Sequence, residues 1–199
     1  STHSVDRGGQ DVVAIVIHGT VGVNSLAYLT RNARGVSCHY LIPRSGETIY
    51  RMVDEARGAN HAGAATSSFS LNGKTYKAGQ VNKVTFGVEL ESLQTGRDDY
   101  TNPQLLAMGW LINDIRTRHP KLPLLRHAEL DPTRRRDPVN LSHDQLEKWA
   151  NAAVLVYGPM GPGPRVQILD DGDGWRVEMG TGGPLREFAR GDVVGVADY

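Results

Sequence analysis

The chain is poor in cysteine, in net charge and in long apolar runs, and each shortage removes a class of protein. One cysteine, Cys38, stands among 199 residues, so an intramolecular disulfide framework is impossible and the stapled small secreted scaffolds are excluded. Lys and Arg number 22, and so do Asp and Glu. No global field therefore gathers nucleic acid or an anionic membrane, and a polyanion would have to meet a local patch. No apolar run approaches the ~18 residues of a membrane span. Residues 1–11 lack the charged-then-apolar order of a signal peptide, which gives the expectation of synthesis in the cytoplasm unless a leader has been removed. With 39% hydrophobic residues, the length suits one main core and a small appendage.

Residues 12–17 (VVAIVI) form a continuous β-branched run, the pattern of a strand buried on both faces, and deliver His18 at its end. Asn24 is placed to cap a short helix bearing Leu26 and Leu29 and stopping near Gly35. Residues 37–43 and 48–53, joined by Arg44-Ser45-Gly46-Glu47, are expected to pair as a hairpin. A second hairpin, a surface excursion over residues 69–76, is signalled by Asn72-Gly73. Residues 85–90 (TFGVEL) read as another buried strand, and they carry Glu89 where a carboxylate is expensive.

Further on, Asn102 is read as the cap and Pro103 as the first turn of a helix whose Leu105, Met108, Ile112 and Ile115 recur at spacings of three and four. Ser142 and Gln145 make a capping box, with Leu141 and Leu146 as hydrophobic staple. Leu146, Trp149, Ala153 and Val156 continue that helix's apolar face. The string GPMGPGP over residues 158–164 supports neither helix nor central strand. The expected organisation is a main domain of residues 1–157, a linker of 158–164, and a β-rich appendage of 165–199. Strand-like pieces in the appendage fall at 166–169, 175–179 and 193–196, and at this size it is expected to pack on the main domain or a neighbour.

His18 ends a buried strand and is followed by Gly19-Thr20, where the backbone turns and side chains point into a cleft. Thr20 is thereby a candidate substrate contact. His127 follows the short apolar piece Leu124-Leu125, and Asp137 closes the string DPTRRRDP. Two neutral imidazoles and one carboxylate are the ligand set of an open zinc site with a fourth position left for water. Glu89 suits general acid/base work, since desolvation raises a carboxyl pKa and a metal lowers it; Glu91 shares its strand parity and is the alternative. The Arg134-Arg135-Arg136 run is either a solvated basic loop or a source of hydrogen bonds to an oxyanion, and an arginine there cannot give up a proton. Asn60 and His61 lie among small residues in GANHAG, which permit either close approach of substrate or merely a tight turn. Cys38 adjoins His39, but strand neighbours point to opposite faces, so Cys38 is expected to be buried and inert.

Taken in order, IHGT, VSCHYLIPRSGETIY, GANHAG, TFGVELE and RHAELDPTRRRDP resemble the zinc-dependent N-acetylmuramoyl-L-alanine amidase family, which includes phage lytic amidases, bacterial amidases and peptidoglycan recognition proteins. The resemblance spans residues 12–157. It implies an α/β fold, a mixed central sheet flanked by helices with a zinc groove, in agreement with the order of elements above. It also implies one zinc ion held by His18, His127 and Asp137, with Glu89 as the catalytic glutamate. Where many members carry a lysine this chain has Arg135, which keeps the positive charge. The tyrosine of one branch is replaced by Cys38, and Asn60 stands where an aromatic residue is usual before His61. The implied reaction is cleavage of the amide between N-acetylmuramic acid and L-alanine in peptidoglycan, with muropeptides rather than nucleic acid or membrane as partners. A non-catalytic peptidoglycan recognition protein is the second reading, and a polyanion-binding protein the third. Phage endolysin is the expected setting, a secreted bacterial autolysin the other; the sequence leaves oligomeric state open.

Overall fold

The computed structural model describes residues 4–31, 35–63, 68–97, 99–158, 163–170 and 174–178. In chain order the elements are β1 (Ser4–Val5), β2 (Ala14–Gly19), α1 (Ser25–Arg31), β3 (Tyr40–Ile42), β4 (Thr48–Arg51), β5 (Gly58–Ala59), β6 (Phe69–Leu71), β7 (Lys74–Tyr76) and α2 (Val81–Val84). They continue with β8 (Thr85–Leu90), α3 (Asn102–Arg118), β9 (Leu124–Arg126), α4 (His127–Leu130), α5 (His143–Tyr157), β10 (Arg165–Asp170) and β11 (Gly174–Glu178).

One mixed sheet runs β11-β10-β4-β3-β8-β2-β9. Its centre is parallel, β2 lying between β8 and β9, while β3 and β4 form the expected antiparallel hairpin. Alternation along the strands sorts the two faces. Ile15 and Ile17 of β2, Phe86, Val88 and Leu90 of β8, and Tyr40 and Ile42 of β3 join α3 and α5 in the main core. The opposite parity puts Val16, His18, Thr85, Gly87, Glu89 and Leu41 on the other face. That face is only partly filled. Val16 packs with Phe69, Tyr76, Val81 and Leu130, and Leu41 packs with Leu29, Cys38 and Met52.

The helices start close to where their signals lie, with local differences. The cap of α3 is Thr101, whose hydroxyl accepts from Gln104 N at 3.2 Å, so Asn102 and Pro103 already belong to the first turn. The capping box of Ser142 and Gln145 forms at α5 as read. Leu146, Ala150 and Ala153 are buried there, whereas Val156 faces solvent. At Gly109 of α3 an added Cβ would lie 2.2 Å from Trp149 O, so glycine allows α3 and α5 to touch through their backbones. Asn24 takes a left-handed φ of 65°, and the first amide of α1, Ser25 N, instead donates to Glu91 at 2.9 Å. The Asn72-Gly73 hairpin is present as β6 and β7, yet it is more than surface: Phe69 and Tyr76 stack at 4.9 Å and are buried.

After the Gly/Pro string, β10 lies parallel beside β4, Arg165 opposite Thr48 through Ile168 opposite Arg51. Gly163 packs flat on the Trp110 indole, since a Cβ there would sit 2.0 Å from Cε2. The first appendage strand is thus a continuation of the main sheet. The strand-like piece at 193–196 lies outside the described residues.

Beneath the sheet, Glu55 takes two hydrogen bonds from Arg118, at 2.8 and 3.3 Å, and one from the Tyr40 hydroxyl. Burial pushes its pKa up, but Arg118, Tyr40 and Arg51 outweigh that and hold it at about 2. A carboxyl depressed in the folded state stabilises the fold above its unfolded pKa and loses that contribution as pH falls through the folded value. The expected loss between pH ~4.5 and ~2 is on the order of 3 kcal/mol. Urea unfolding of wild type and Glu55→Gln across that window checks it; equal acid sensitivity in both proteins would remove Glu55 as the cause.

Candidate active site

Because β2 and β8 are parallel neighbours, His18 lies opposite Glu89 in register, and both stand near the C-terminal edge of the sheet, where parallel strands present their side chains to a crevice. His127 enters beside them as the first residue of α4, directly after β9. Glu129 accepts from Arg126 N at 2.8 Å, which sets the turn that aims His127 inward. The DPTRRRDP loop then folds back: Arg134 N and Arg135 N both donate to Asp131 O, and Ala128 N donates to Asp137 O at 2.9 Å. Ten residues of separation between His127 and Asp137 become adjacency.

Asp137 Oδ2 is 3.0 Å from His127 Nδ1 and 3.6 Å from His18 Nδ1. Tetrahedral zinc at roughly 2.0–2.2 Å from each ligand needs ligand atoms about 3.3–3.6 Å apart; the His18 spacing meets that, and the His127 spacing falls just short of it. One ligand atom from each of the three residues lies within 4.8 Å of the others. The protonation states fit as well. Burial lowers the His18 pKa to about 4, the neutral form a metal requires. Burial acts the other way on Asp137, but a hydrogen bond from His127 and the nearness of both imidazoles hold its carboxyl well below the usual carboxylate range. His127 Nε2 is buried with no hydrogen-bond partner among the described residues.

Glu89 is half-buried on the same face, and loss of water, then the Asp137 charge, push its pKa to about 8 against the opposing pull of Arg135. Glu91, the alternative base, is engaged elsewhere, at the N-terminus of α1. Arg135 is exposed, and its guanidinium reaches over Gly63, whose Cβ position is 3.9 Å away. Its charge bears on both Glu89 and His18.

The other sequence candidates are engaged in hydrogen bonds within the protein. Thr20 Oγ1 accepts from Ser92 N at 3.0 Å and from Ser25 Oγ at 2.9 Å, tying the end of β2 to that of β8. Asn60 Nδ2 donates to Gly35 O at 3.2 Å. His61 is 5% exposed, with Nδ1 2.8 Å from His18 Nε2 and Nε2 3.0 Å from Thr85 Oγ1. Cys38 is buried at 1%, and burial, with Glu89 nearby, pushes its thiol pKa well up, so it stays an inert thiol.

Two further residues have no sequence signal. Thr85 meets His61, and Gln94 braces the loop that carries Asp137 by accepting from Val139 N at 2.8 Å while its amide fills the space a Cβ on Gly19 would take. Neither a strand-opening threonine nor a loop glutamine is distinguishable by type or spacing.

The profile of the N-acetylmuramoyl-L-alanine amidase family, Amidase_2, matches residues 8–140. Among solved structures, a selenomethionine derivative of AmpD is similar with 24% identity and a TM-score of 0.57, covering 75% of this chain and 90% of that one. The amidase AmiD from E. coli, solved with the substrate anhydro-N-acetylmuramic acid-L-Ala-D-γ-Glu-L-Lys, is 26% identical with a TM-score of 0.53, over 75% of this chain and 60% of that one. The amidase LysC from Clostridium intestinale URNW shares the fold at 20% identity and a TM-score of 0.52, over 74% of this chain and 89% of that one. Curated proteins give no match by sequence. The chain belongs to the N-acetylmuramoyl-L-alanine amidase family and is a peptidoglycan amidase of that family.

Proposed function

We propose that this amidase is a zinc enzyme in which His18, His127 and Asp137 hold the ion, Glu89 moves the proton and Arg135 steadies the oxyanion. The convergence of two buried imidazoles on one ionised carboxylate at 3.0 and 3.6 Å carries the reading. Zinc bound there would supply Lewis acidity to the scissile amide and to the attacking water. Glu89 faces the same space from β8. It is placed to take a proton from water and return it to the departing L-alanine amine, a role that suits a carboxyl poised near neutrality. Arg135, extended over the cleft, is placed to donate hydrogen bonds to the oxygen that gains charge on attack. It remains a cation throughout and takes no part in proton transfer.

The substrate class we infer is a muropeptide, and the place of action the bacterial cell wall. The family and the muropeptide complex of AmiD support this. Among the described residues no helix is long and apolar enough to cross a membrane. Retention of three convergent ligands with a carboxyl beside them favours catalysis over recognition alone. The test pairs metal analysis with release of L-alanine amino termini from purified peptidoglycan. One zinc per chain with amine release is expected; stoichiometric zinc without amine release would instead make this a recognition protein.

A further inference from the structure

We propose that His61 and Thr85 are positioning residues that fix which nitrogen of His18 faces the metal. This rests on the zinc-ligand reading above and adds a device to it. Thr85 is fully buried at the first position of β8. Its hydroxyl lies 2.7 Å from Val81 O and 3.0 Å from His61 Nε2. A carbonyl oxygen only accepts, so the single hydroxyl proton goes to Val81, and the hydroxyl oxygen is left to accept from His61 Nε2–H. His61 Nδ1 then carries a lone pair. At 2.8 Å it accepts the Nε2–H of His18, which leaves His18 Nδ1 as a bare lone pair pointing at the Asp137 carboxylate 3.6 Å away.

Two acceptors facing each other in a buried site repel unless a cation lies between them. The opposite polarity fails at its far end. If His18 Nε2 accepted from His61 Nδ1–H, His61 Nε2 would need the Thr85 proton, and Thr85 Oγ1 would stand 2.7 Å from Val81 O with no hydrogen between the two oxygens. The donor order therefore runs from His18 to His61 to Thr85 to Val81, and His18 meets the ion through Nδ1.

The backbone is built around this arrangement. Thr85, Gly87 and Glu89 alternate onto one face of β8, the face that carries His18 on β2. Gly87 makes room for the imidazole: a Cβ there would lie 2.3 Å from His61 Cγ. Asn82 Oδ1 accepts from Ala62 N at 2.9 Å, and His61 N donates to Ala59 O at 3.0 Å, which lock the segment on both sides of the ring. With its ring buried and both nitrogens engaged inside the protein, His61 acts through His18 rather than on substrate, unlike the contact considered from sequence. Outer partners of metal-bound histidines work this way, orienting the ring and selecting its tautomer.

The experiment uses the full chain and zinc in competition with a chromogenic chelator. His61→Ala and Thr85→Val, the latter nearly isosteric, are each expected to weaken zinc binding about 10- to 100-fold. His61→Asn keeps an acceptor near the Nδ1 position and is expected to retain more affinity than His61→Ala. Nitrogen-15 spectra of the histidine rings in the zinc-loaded wild type give a readout that needs no variant. They should show His18 protonated at Nε2 and ligated at Nδ1, with His61 protonated at Nε2. Ligation of His18 through Nε2, or affinities of both His61→Ala and Thr85→Val within about twofold of wild type, would overturn the inference while leaving the metal site standing. A wild-type chain that takes up no zinc would overturn the ligand assignment and this inference together.

Discussion

Asp137→Ala is expected to lose stoichiometric zinc and to lower kcat/KM by about a thousandfold or more, on the order of 4 kcal/mol of barrier. The size follows from where the carboxylate sits. Its Oδ2 is the common neighbour of His18 Nδ1 and His127 Nδ1, and it brings the only formal negative charge among the three proposed ligands. Without it, two neutral imidazoles remain to hold a divalent cation. The fold should survive, because the loop carrying Asp137 is closed by backbone bonds, Ala128 N to Asp137 O among them, that alanine preserves. Metal analysis and amine release on the same preparation, with circular dichroism as the folding control, check the prediction. Full zinc and full turnover in this variant would remove Asp137 from the site.

The second large effect is expected from Glu89→Gln, which is close to isosteric and cannot accept a proton. Turnover should fall about 100- to 10 000-fold with zinc content and KM little changed, because Glu89 lies opposite His18 without belonging to the ligand cluster. Burial and the Asp137 charge push this carboxyl to about 8, and a cation between His18, His127 and Asp137 would draw it back toward neutrality. Glu91→Gln is the matched control. Glu91 serves the N-terminus of α1, so its loss should cost about 0.3–1 kcal/mol of stability and leave turnover near wild type. If Glu89→Gln kept its activity while Glu91→Gln lost it, the two glutamates would exchange roles.

Much of the catalytic face was legible from the chain because its signals are local. The run TFGVEL forms β8 at its expected bounds, since continuous apolar sequence around one glutamate specifies a buried strand with a single exceptional position. The Ser142 and Gln145 pair likewise marks α5, because a capping box satisfies its amides within one turn. At α3 the same logic was off by one residue, since Thr101 rather than Asn102 presents the hydroxyl that the helix uses.

The sequence by itself determined the types of the longer strands and helices, the burial of Cys38 and the residue kinds able to hold zinc, all of which depend on neighbours a few positions apart; the one-turn helices α2 and α4 carried no such signal. Only the tertiary structure decided how those residues meet. The parallel pairing of β2 with β8 sets His18 against Glu89, and the closed loop after α4 returns Asp137 to His127. Packing over 24 residues of separation places His61 between His18 and Thr85. The union of β10 with β4, across a Gly/Pro string that reads as a boundary, is of the same kind. Sheet pairing and imidazole polarity depend on which groups the fold brings within about 3 Å, and that distance is set by the packing of the whole chain.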